Sequence, residues 1–261
     1  MMQLQDQTAV ITGASSGIGR AIALTFAAQG AQLVLHARAN QAGLEETAQL
    51  AREYGVECHC LLADLSCAEQ RDQFSQSVFD LGVVNIWVNN AGADILTGTN
   101  TELSFSQRLE TLWNMDVLGT IELCRLISAP MSETGKRVNA TILNMGWDQA
   151  EVGQSGDSGQ LFGPTKAAVM AYSKSLARSL APHVRVNCLA PGWIQTAWGE
   201  VAPEDWAQRA QSEALMQRWG TPEDVANAAL YAVAPTSSFI TGQIISVNGG
   251  LNHEQINSSS S

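Results

Sequence analysis

Basic residues are scarce in this chain: 14 lysines and arginines stand against 25 aspartates and glutamates, giving a formal net charge of -11. A protein that binds nucleic acid needs cations to displace counterions from phosphates, and a membrane-surface helix needs them on its polar face. The charge balance therefore argues against both kinds of partner. No apolar run approaches the roughly 20 residues of a membrane helix and no signal segment is recognisable, so we expect a cytoplasmic protein.

Cysteines are also few, and their spacing indicates neither a disulfide framework nor a metal site. The five are Cys58, Cys60, Cys67, Cys124 and Cys188. Cys58 and Cys60 flank His59, but on a strand the two cysteines share one face while the histidine points to the other. No second pair of ligands follows, so we predict buried strand cysteines and no bound metal.

Short apolar runs alternate with longer amphipathic stretches, a pattern typical of a parallel sheet with helices on both faces. We predict one Rossmann-type, doubly wound α/β domain over residues 1–251, with about seven strands, and a disordered tail at 252–261. The predicted strands are 8–12, 32–36, 56–63, 83–88, 138–145, 184–189 and 243–247. The predicted helices are 17–29, 40–54, 67–81, 106–131, 162–181, 203–219 and 221–234, and 146–161 is predicted to be a loop.

A glycine-rich turn, residues 12–19 (TGASSGIG), lies between the first predicted strand and the first predicted helix. Such a turn lets the backbone approach a pyrophosphate, which the N–H groups at the helix N-terminus then bind. The same glycines would suit a tight turn without a ligand, so the motif alone is a weak signal. Its place at the start of a strand–helix–strand unit favours dinucleotide binding.

With this turn, five motifs in chain order make the sequence resemble the short-chain dehydrogenase/reductase family over residues 5–250. They are the TGxxxGxG spacing of the turn, the pair Asp64-Leu65, the NNAG motif at 89–92, the PGxxxT segment at 191–196, and a C-terminal signature of Arg218, Gly220, Pro222, Glu223, Asp224 and residues 239–250. The resemblance implies a small-molecule substrate and a homotetramer or homodimer, built partly on the helices at 106–131 and 162–181.

The resemblance also implies which residues bind the cofactor. Asp64 and Leu65 would hold the adenine, and the segment 191–196 would lie beside the nicotinamide. The full expected set is Gly13, Ser15, Ser16, Gly17, Ile18, Gly19, Arg38, Asp64, Leu65, Asn90, Ala91, Gly92, Lys166, Pro191, Gly192, Ile194 and Thr196.

The end of the second strand indicates which cofactor is preferred. Enzymes that prefer NAD place an acid near this point to bind the ribose hydroxyls, whereas here Ala37 is followed by Arg38. A guanidinium suits the 2′-phosphate of NADP, although a solvated surface arginine is the alternative. We predict that NADP(H) is preferred over NAD(H).

The catalytic positions depart from the family, in which a tyrosine donates a proton, a lysine lowers its pKa, a serine binds the carbonyl oxygen and an asparagine holds a water. Lys166 is retained, but the tyrosine position is Phe162, the serine position Trp147 and the asparagine position Asp116. A general acid is worth roughly 10²–10⁴ in rate and an oxyanion donor roughly 10²–10³. Ordinary carbonyl reduction should therefore be weak.

Several residues are candidates to compensate. Asp116 is placed to pair directly with Lys166, whereas Tyr172, six residues beyond the lysine, would lie nearly opposite on a helix. The loop acids Asp148, Glu151 and Asp157 are expected to be solvated. The rings of Trp147, Phe162, Trp193 and Trp198 either wall an aromatic pocket or plug a disused one.

Three functions remain open from the sequence. The leading one is an NADP(H)-dependent oxidoreductase on carbonyl or alcohol substrates with a modified site. The second is a non-catalytic dinucleotide-binding protein, acting as a sensor or a structural subunit. The third is non-redox chemistry with the cofactor as a structural support.

Overall fold

A seven-stranded parallel sheet forms the centre of the protein, as predicted, in the order β3-β2-β1-β4-β5-β6-β7. The computed structural model describes residues 2–96, 98–196 and 204–250. The predicted tail at 252–261 and the candidate ring of Trp198 lie outside these residues. The strands are Thr8–Ile11 (β1), Gln32–Ala37 (β2), Cys58–Leu62 (β3), Ile86–Asn89 (β4), Ala140–Met145 (β5), Val184–Pro191 (β6) and Ile244–Val247 (β7).

Helices cover both faces of this sheet. The α-helices are Gly17–Ala28 (α1), Gln41–Arg52 (α2), Ala68–Asp80 (α3), Phe105–Leu112 (α4), Thr120–Gly135 (α5), Gly156–Leu180 (α6), Glu204–Glu213 (α7) and Pro222–Val233 (α8). A π-helical segment, Trp113–Gly119, joins α4 to α5, and 3-10 turns lie at Gly98–Glu102, Asp148–Ala150 and Pro235–Ser237. Within the described residues, no helix is long and apolar enough to cross a membrane.

The helix starts follow the sequence signals. The Asn40 side chain accepts the Gly43 N–H at 3.0 Å and caps α2, as predicted. Thr221 and Asp224 form a reciprocal capping box at the start of α8. The core has one apolar layer on each face of the sheet, and the largest fully buried side chain is Trp87 on β4.

Three element predictions were wrong. The helix predicted at 203–219 is described from Glu204 and ends at Glu213, and a turn follows it. The helix predicted at 106–131 is divided, because the π-helical segment Trp113–Gly119 interrupts its α-helical hydrogen bonding. The loop predicted at 146–161 ends early, because α6 begins at Gly156. Glycine, serine and aspartate there are typical of a loop, but Ser155 is in fact the N-cap and Asp157 lies in the first turn, where the helix dipole favours an acid.

The strand order determines where the candidate functional site lies. β1 pairs with β2 on one side and β4 on the other, so successive connections leave the sheet in opposite directions at this point. In open parallel sheets, a crevice forms there, beyond the carboxyl ends of the strands. The glycine turn after β1, the segment after β4, Trp147 after β5 and the segment after β6 all meet at this edge.

Candidate functional site

The glycine turn leaves no room for side chains on the side that faces the sheet. Gly13 has φ +67° and Gly17 has φ +53°, values in the left-handed region that favours glycine. A Cβ on Gly13 would lie 2.9 Å from Ala91 Cα, and one on Gly19 would collide with the carbonyl oxygen of Gly13. Ser16, the N-cap of α1, makes no capping bond, so N–H groups of the first turn remain available.

The segment after β4 fixes the shape of this turn. The Asn90 side-chain amide donates to the backbone oxygens of Thr12 and Gly13 at 3.0 and 3.2 Å. The Thr12 hydroxyl oxygen in turn accepts the N–H groups of Asn90 and Ala91, each at 3.0 Å. The two predicted motifs are therefore bound to each other, and a Cβ added to Gly17 would lie 3.6 Å from Thr196 of the PGxxxT segment.

The His36 side chain hydrogen-bonds to the backbone of the glycine turn, a role that the sequence did not reveal. Its Nδ1 accepts the Gly13 N–H at 3.4 Å, and its Nε2 lies 2.9 Å from the Ala63 carbonyl oxygen. The ring is fully buried and packs against Phe74. Burial lowers the pKa of His36 to about 4, so the ring is neutral, with Nε2 carrying the proton that Ala63 accepts.

Arg38 and Asp64 lie beyond the ends of β2 and β3. Arg38 is exposed and forms no ion pair with any described residue. Partial burial acts to raise the pKa of Asp64, but the Ser66 hydroxyl and N–H, with the charge of Arg38 nearby, hold that pKa below its ordinary value. Leu65 is buried, and its carbonyl oxygen accepts Arg71 Nη1 at 2.7 Å.

Lys166 and Asp116 form an ion pair, as the sequence suggested. Lys166 Nζ lies 2.8 Å from Asp116 Oδ2, and Asp116 Oδ1 accepts the Ala93 N–H at 2.8 Å. Asp116 is 2% exposed, and it lies close against Gly92, where a Cβ would meet its carboxylate at 3.2 Å. The π-helical segment presents Asp116 to α6, which is the structural consequence of the interrupted helix.

A cavity of about 500 Å³ opens beside this ion pair. Trp147 and Phe162 stand edge to face in its wall, with ring centroids 6.3 Å apart, so the rings border an open space rather than fill it. The described lining residues are Ile18, Asn90, Leu96, Met145, Gly146, Trp147, Gln154, Ser158, Phe162, Lys166, Pro191, Gly192, Trp193, Ile194, Thr196 and Trp219. Some of the residues expected to bind the cofactor therefore line the same space as Trp147, Phe162 and Lys166.

Two polar residues of the lining were missed from the sequence. Ser158 lies four residues before Phe162, which lies four before Lys166, so all three share one face of α6. Gln154 precedes the helix and also lines the cavity. The four-residue spacing was a signal that would have identified Ser158, had the helix been started at Gly156.

Of the acids expected to be solvated, one is not. Asp148 is 8% exposed, its Oδ2 accepts Asn248 Nδ2 at 3.1 Å, and burial raises the pKa of Asp148 to about 6. Its neighbour Trp147 lines the cavity, whereas Asp148 is not among the described lining residues. Glu151 is exposed, as expected, and Asp157 is exposed and pairs with Arg108 at 3.2 Å.

Tyr172 lies away from the cavity, as predicted. Its hydroxyl donates to the Ile121 carbonyl oxygen at 3.4 Å, and burial raises the pKa of Tyr172.

The prediction that Cys58 and Cys60 share one face of a strand, with His59 on the other, is also confirmed. Cys58 is buried and Cys60 half-buried, while His59 is exposed.

The wall of the cavity formed by Trp193 and Trp219 is hydrogen-bonded to α7. Trp193 Nε1 donates to Glu213 Oε2 at 2.8 Å, and Gln149 Nε2 donates to the same oxygen at 3.3 Å. Trp193 also stands edge to face with Trp219, with centroids 6.0 Å apart. This wall is therefore apolar toward the cavity and hydrogen-bonded behind it.

Known proteins resemble the chain over almost its whole length. Residues 13–252 match the family model described as enoyl-(acyl carrier protein) reductase. The 3-oxoacyl-[acyl-carrier-protein] reductase FabG of Aquifex aeolicus is 31% identical over 96% of this chain and 99% of that protein. An uncharacterized oxidoreductase of Mycobacterium tuberculosis is 35% identical over 96% of this chain and 94% of its own length.

Solved structures agree with these relatives. The complex of L-sorbose reductase from Gluconobacter frateurii with NADPH and L-sorbose has a TM-score of 0.85 at 31% identity, covering 96% of this chain and 98% of that one. A 7α-hydroxysteroid dehydrogenase complexed with NADH and 7-oxo glycochenodeoxycholic acid has a TM-score of 0.86 at 28% identity, covering 96% of each chain. Fold, motifs and relatives coincide over the same residues, and the chain belongs to the short-chain dehydrogenase/reductase family.

Proposed function

We propose that the protein is an NADP(H)-dependent oxidoreductase that interconverts a ketone and an alcohol through a modified catalytic site. The observation that carries this proposal is the single cavity that joins the glycine turn at Ile18 to Lys166 and to the rings of Trp147 and Phe162. Among the described residues that line this cavity, Lys166 alone has an ionisable side chain. A charged amine beside a dinucleotide cleft and an apolar pocket suits hydride transfer coupled to proton transfer.

The residues present fit a dinucleotide. Gly13 packs closely against Ala91, and Gly19 packs closely against Gly13, as a backbone that binds a pyrophosphate requires. The first turn of α1 contains no acidic residue that would repel the pyrophosphate. Ser15, Ser16 and Gly17 complete the cradle. The remaining members of the binding set are Ile18, Asp64, Leu65, Asn90, Ala91, Gly92, Lys166, Pro191, Gly192, Ile194 and Thr196.

Arg38 supports a preference for NADP(H). It stands exposed at the end of β2 with no ion pair to the described residues, so its guanidinium is available to a 2′-phosphate. The relatives do not decide the matter, since one solved neighbour carries NADPH and another NADH.

The bound cofactor would supply the hydride. The chain's own part is to hold the substrate oxygen and to deliver a proton to it. Phe162 has no proton to give, so the Lys166 ammonium is the proton donor that we propose, with Asp116 holding it in place at 2.8 Å. A lysine donor without a hydroxyl relay gives a slow reaction, because the tyrosine and serine contributions are absent.

A homotetramer or homodimer in the cytoplasm completes the proposal, by analogy with the family. Leu118, Leu126 and Trp113 are exposed apolar side chains around α5, the helix expected to take part in the interface.

The test is to measure cofactor binding and turnover separately. Calorimetric titration with NADP⁺ and NAD⁺ should give binding, with NADP⁺ tighter, and loss of NADPH absorbance with a panel of ketones and diketones should show slow reduction. Cofactor binding with no turnover of any carbonyl would favour a non-catalytic dinucleotide-binding protein. Absence of cofactor binding would overturn the proposal.

A further inference from the structure

One face of α6 presents a row of side chains to the cavity. Ser158, Phe162 and Lys166 recur every four residues, and Gln154 continues the row just before the helix begins. Lys166 lies at the end that pairs with Asp116, so Ser158 and Gln154 lie at the opposite end. With a rise of 1.5 Å per residue, Ser158 is about 12 Å from Lys166 along the helix axis.

The two polar residues at this outer end have hydrogen-bonding capacity that the chain does not use. Gln154 Nε2 is buried and has no hydrogen-bond partner among the residues that the structure describes. The Ser158 hydroxyl likewise makes no hydrogen bond to any part of the chain that the structure describes. Buried amide donors are nearly always paired, so an unpaired one in the wall of a cavity indicates an acceptor supplied by a ligand.

Gln154 is held in place by its backbone. The Gly153 N–H donates to the Gln149 carbonyl oxygen at 2.8 Å and closes the loop before α6. Gly159, in the first turns of α6, packs so closely on the Gln154 carbonyl that a Cβ would collide with it. The backbone of Gln154 is therefore fixed before any ligand arrives, which limits the positions open to its side chain and lowers the entropic cost of binding.

The rest of the cavity wall is apolar and largely aromatic. Trp147 stands edge to face with Phe162, and Trp193 stands edge to face with Trp219. Flat rings contribute most to binding when they pack against other flat apolar surfaces. A ligand that suits this lining has a flat apolar body and an acceptor oxygen at the end that reaches Gln154 and Ser158.

We propose that Gln154 and Ser158 bind a second oxygen of the substrate, which is then a fused-ring ketone with a hydroxyl or carbonyl oxygen remote from the reacting carbonyl. This inference rests on the proposed function for the position of the reacting carbonyl beside Phe162 and Lys166. The pair sets specificity and takes no part in hydride or proton transfer.

Two ketones that differ by one oxygen test the assignment. Binding of 2-tetralone and of 6-hydroxy-2-tetralone to the NADP⁺-saturated protein is measured by calorimetry, a readout that needs no turnover. We expect the hydroxylated ketone to bind at least 3- to 10-fold more tightly, the effect of one neutral hydrogen bond. Gln154→Met and Ser158→Ala should each remove about that factor for 6-hydroxy-2-tetralone and leave the affinity for 2-tetralone unchanged.

Matched controls lie on the same stretch of chain. Gln160→Met and Ser155→Ala make the same chemical changes at exposed positions, and Ser155 makes no side-chain capping bond, so the preference should persist in both. Equal affinity of the wild type for both ketones, no binding of either, or a preference that survives in Gln154→Met and Ser158→Ala would overturn the inference. Binding with the expected preference but without NADPH oxidation would count against the proposed function alone.

Discussion

Lys166 Nζ lies 2.8 Å from Asp116 Oδ2, so the two side chains pair directly. Asp116 is 2% exposed and Lys166 16%, so the carboxylate is the more deeply buried partner. The pair joins the π-helical segment to α6 and stands at the inner end of the cavity. A substitution in this ion pair should therefore change both the stability of the protein and the properties of the cavity.

The ion pair predicts an asymmetric response to substitution. Lys166→Met should lower the free energy of unfolding by about 3–5 kcal/mol, because it leaves the buried Asp116 carboxylate unpaired. Asp116→Asn should cost less, since its side-chain oxygen still accepts the Ala93 N–H. The double variant should be more stable than Lys166→Met alone. Urea unfolding checks all three, and a double variant no more stable than Lys166→Met would contradict the prediction.

Lys166 should also matter for the cofactor. We expect Lys166→Ala to weaken NADP⁺ binding, because the family resemblance implies that this lysine binds the nicotinamide ribose. Phe162→Ala removes a ring from the same face of α6 without removing a charge, so it should mainly alter ligand binding. Calorimetric titration of both variants with NADP⁺ separates the two roles; equal losses would refute the distinction.

Catalysis should improve when the family's hydroxyl groups are restored. Wild-type NADPH oxidation with simple ketones and diketones should be well below the usual range of about 1–10³ s⁻¹. Phe162→Tyr alone should restore little, because Trp147 still occupies the serine position and Asp116 still binds Lys166. The triple variant Phe162→Tyr, Trp147→Ser, Asp116→Asn should oxidise NADPH faster than the wild type and faster than Phe162→Tyr alone. Wild-type turnover at ordinary rates would mean that another group supplies the proton efficiently.

Arg38 should determine the cofactor preference. Arg38→Asp should reverse a preference for NADP⁺ over NAD⁺, because it removes the partner of the 2′-phosphate and adds a repelling charge. Arg178→Asp makes the same charge change at an exposed position near the end of α6 and serves as the control. Titration with both cofactors checks the prediction, and equal wild-type affinities would contradict it.

Gly19 should tolerate no side chain. Gly19→Val should abolish cofactor binding or folding, since any Cβ there collides with the Gly13 carbonyl oxygen and comes within 2.6 Å of Asn90 Nδ2. Gly163→Ala is a matched control, because a Cβ at this helical position meets nothing within 4 Å. Thermal unfolding and NADP⁺ titration are the measurements. A stable Gly19→Val protein with unchanged affinity would place the pyrophosphate elsewhere.

Asp148 should make stability depend on pH. Its pKa rises from 3.8 to about 6 on folding, so its contribution to stability is fully present below about pH 4 and is lost as the pH rises through 6. Relative to the wild type, Asp148→Asn should therefore gain on the order of 1–3 kcal/mol between about pH 4 and about pH 8. His36 titrates in the same window with the opposite sign, but it is common to both proteins and cancels. Parallel denaturation curves that show no such gain would refute the burial effect.

The glycine turn and the strands could be predicted from sequence because their determinants are local. Gly13 and Gly17 adopt positive φ values that follow from residue type, and the apolar strands were recognisable by composition. The Lys166–Asp116 pair was also predictable, since family spacing fixed both positions. The roles of Arg38 and the other cofactor residues stay predictions until binding is measured.

The outer half of the cavity was not predictable. The residues before Phe162 have the composition of a loop, yet α6 begins at Gly156 because Ser155 and Asp157 also suit the start of a helix. That shift of about a turn and a half brings Ser158 onto the same face as Phe162 and Lys166. The burial of Asp148 depends on Asn248, 100 residues away in the chain.

The sequence by itself determined the sheet and the glycine turn, because these depend on residue type and on short-range spacing. The tertiary structure alone decided that Trp147 and Phe162 border an open cavity and that the π-helical segment Trp113–Gly119 interrupts the helix predicted at 106–131. It also decided that the buried Gln154 amide finds no hydrogen-bond partner in the described part of the chain. Packing and burial arise from contacts between segments far apart in the chain, and no local pattern records which of those contacts form.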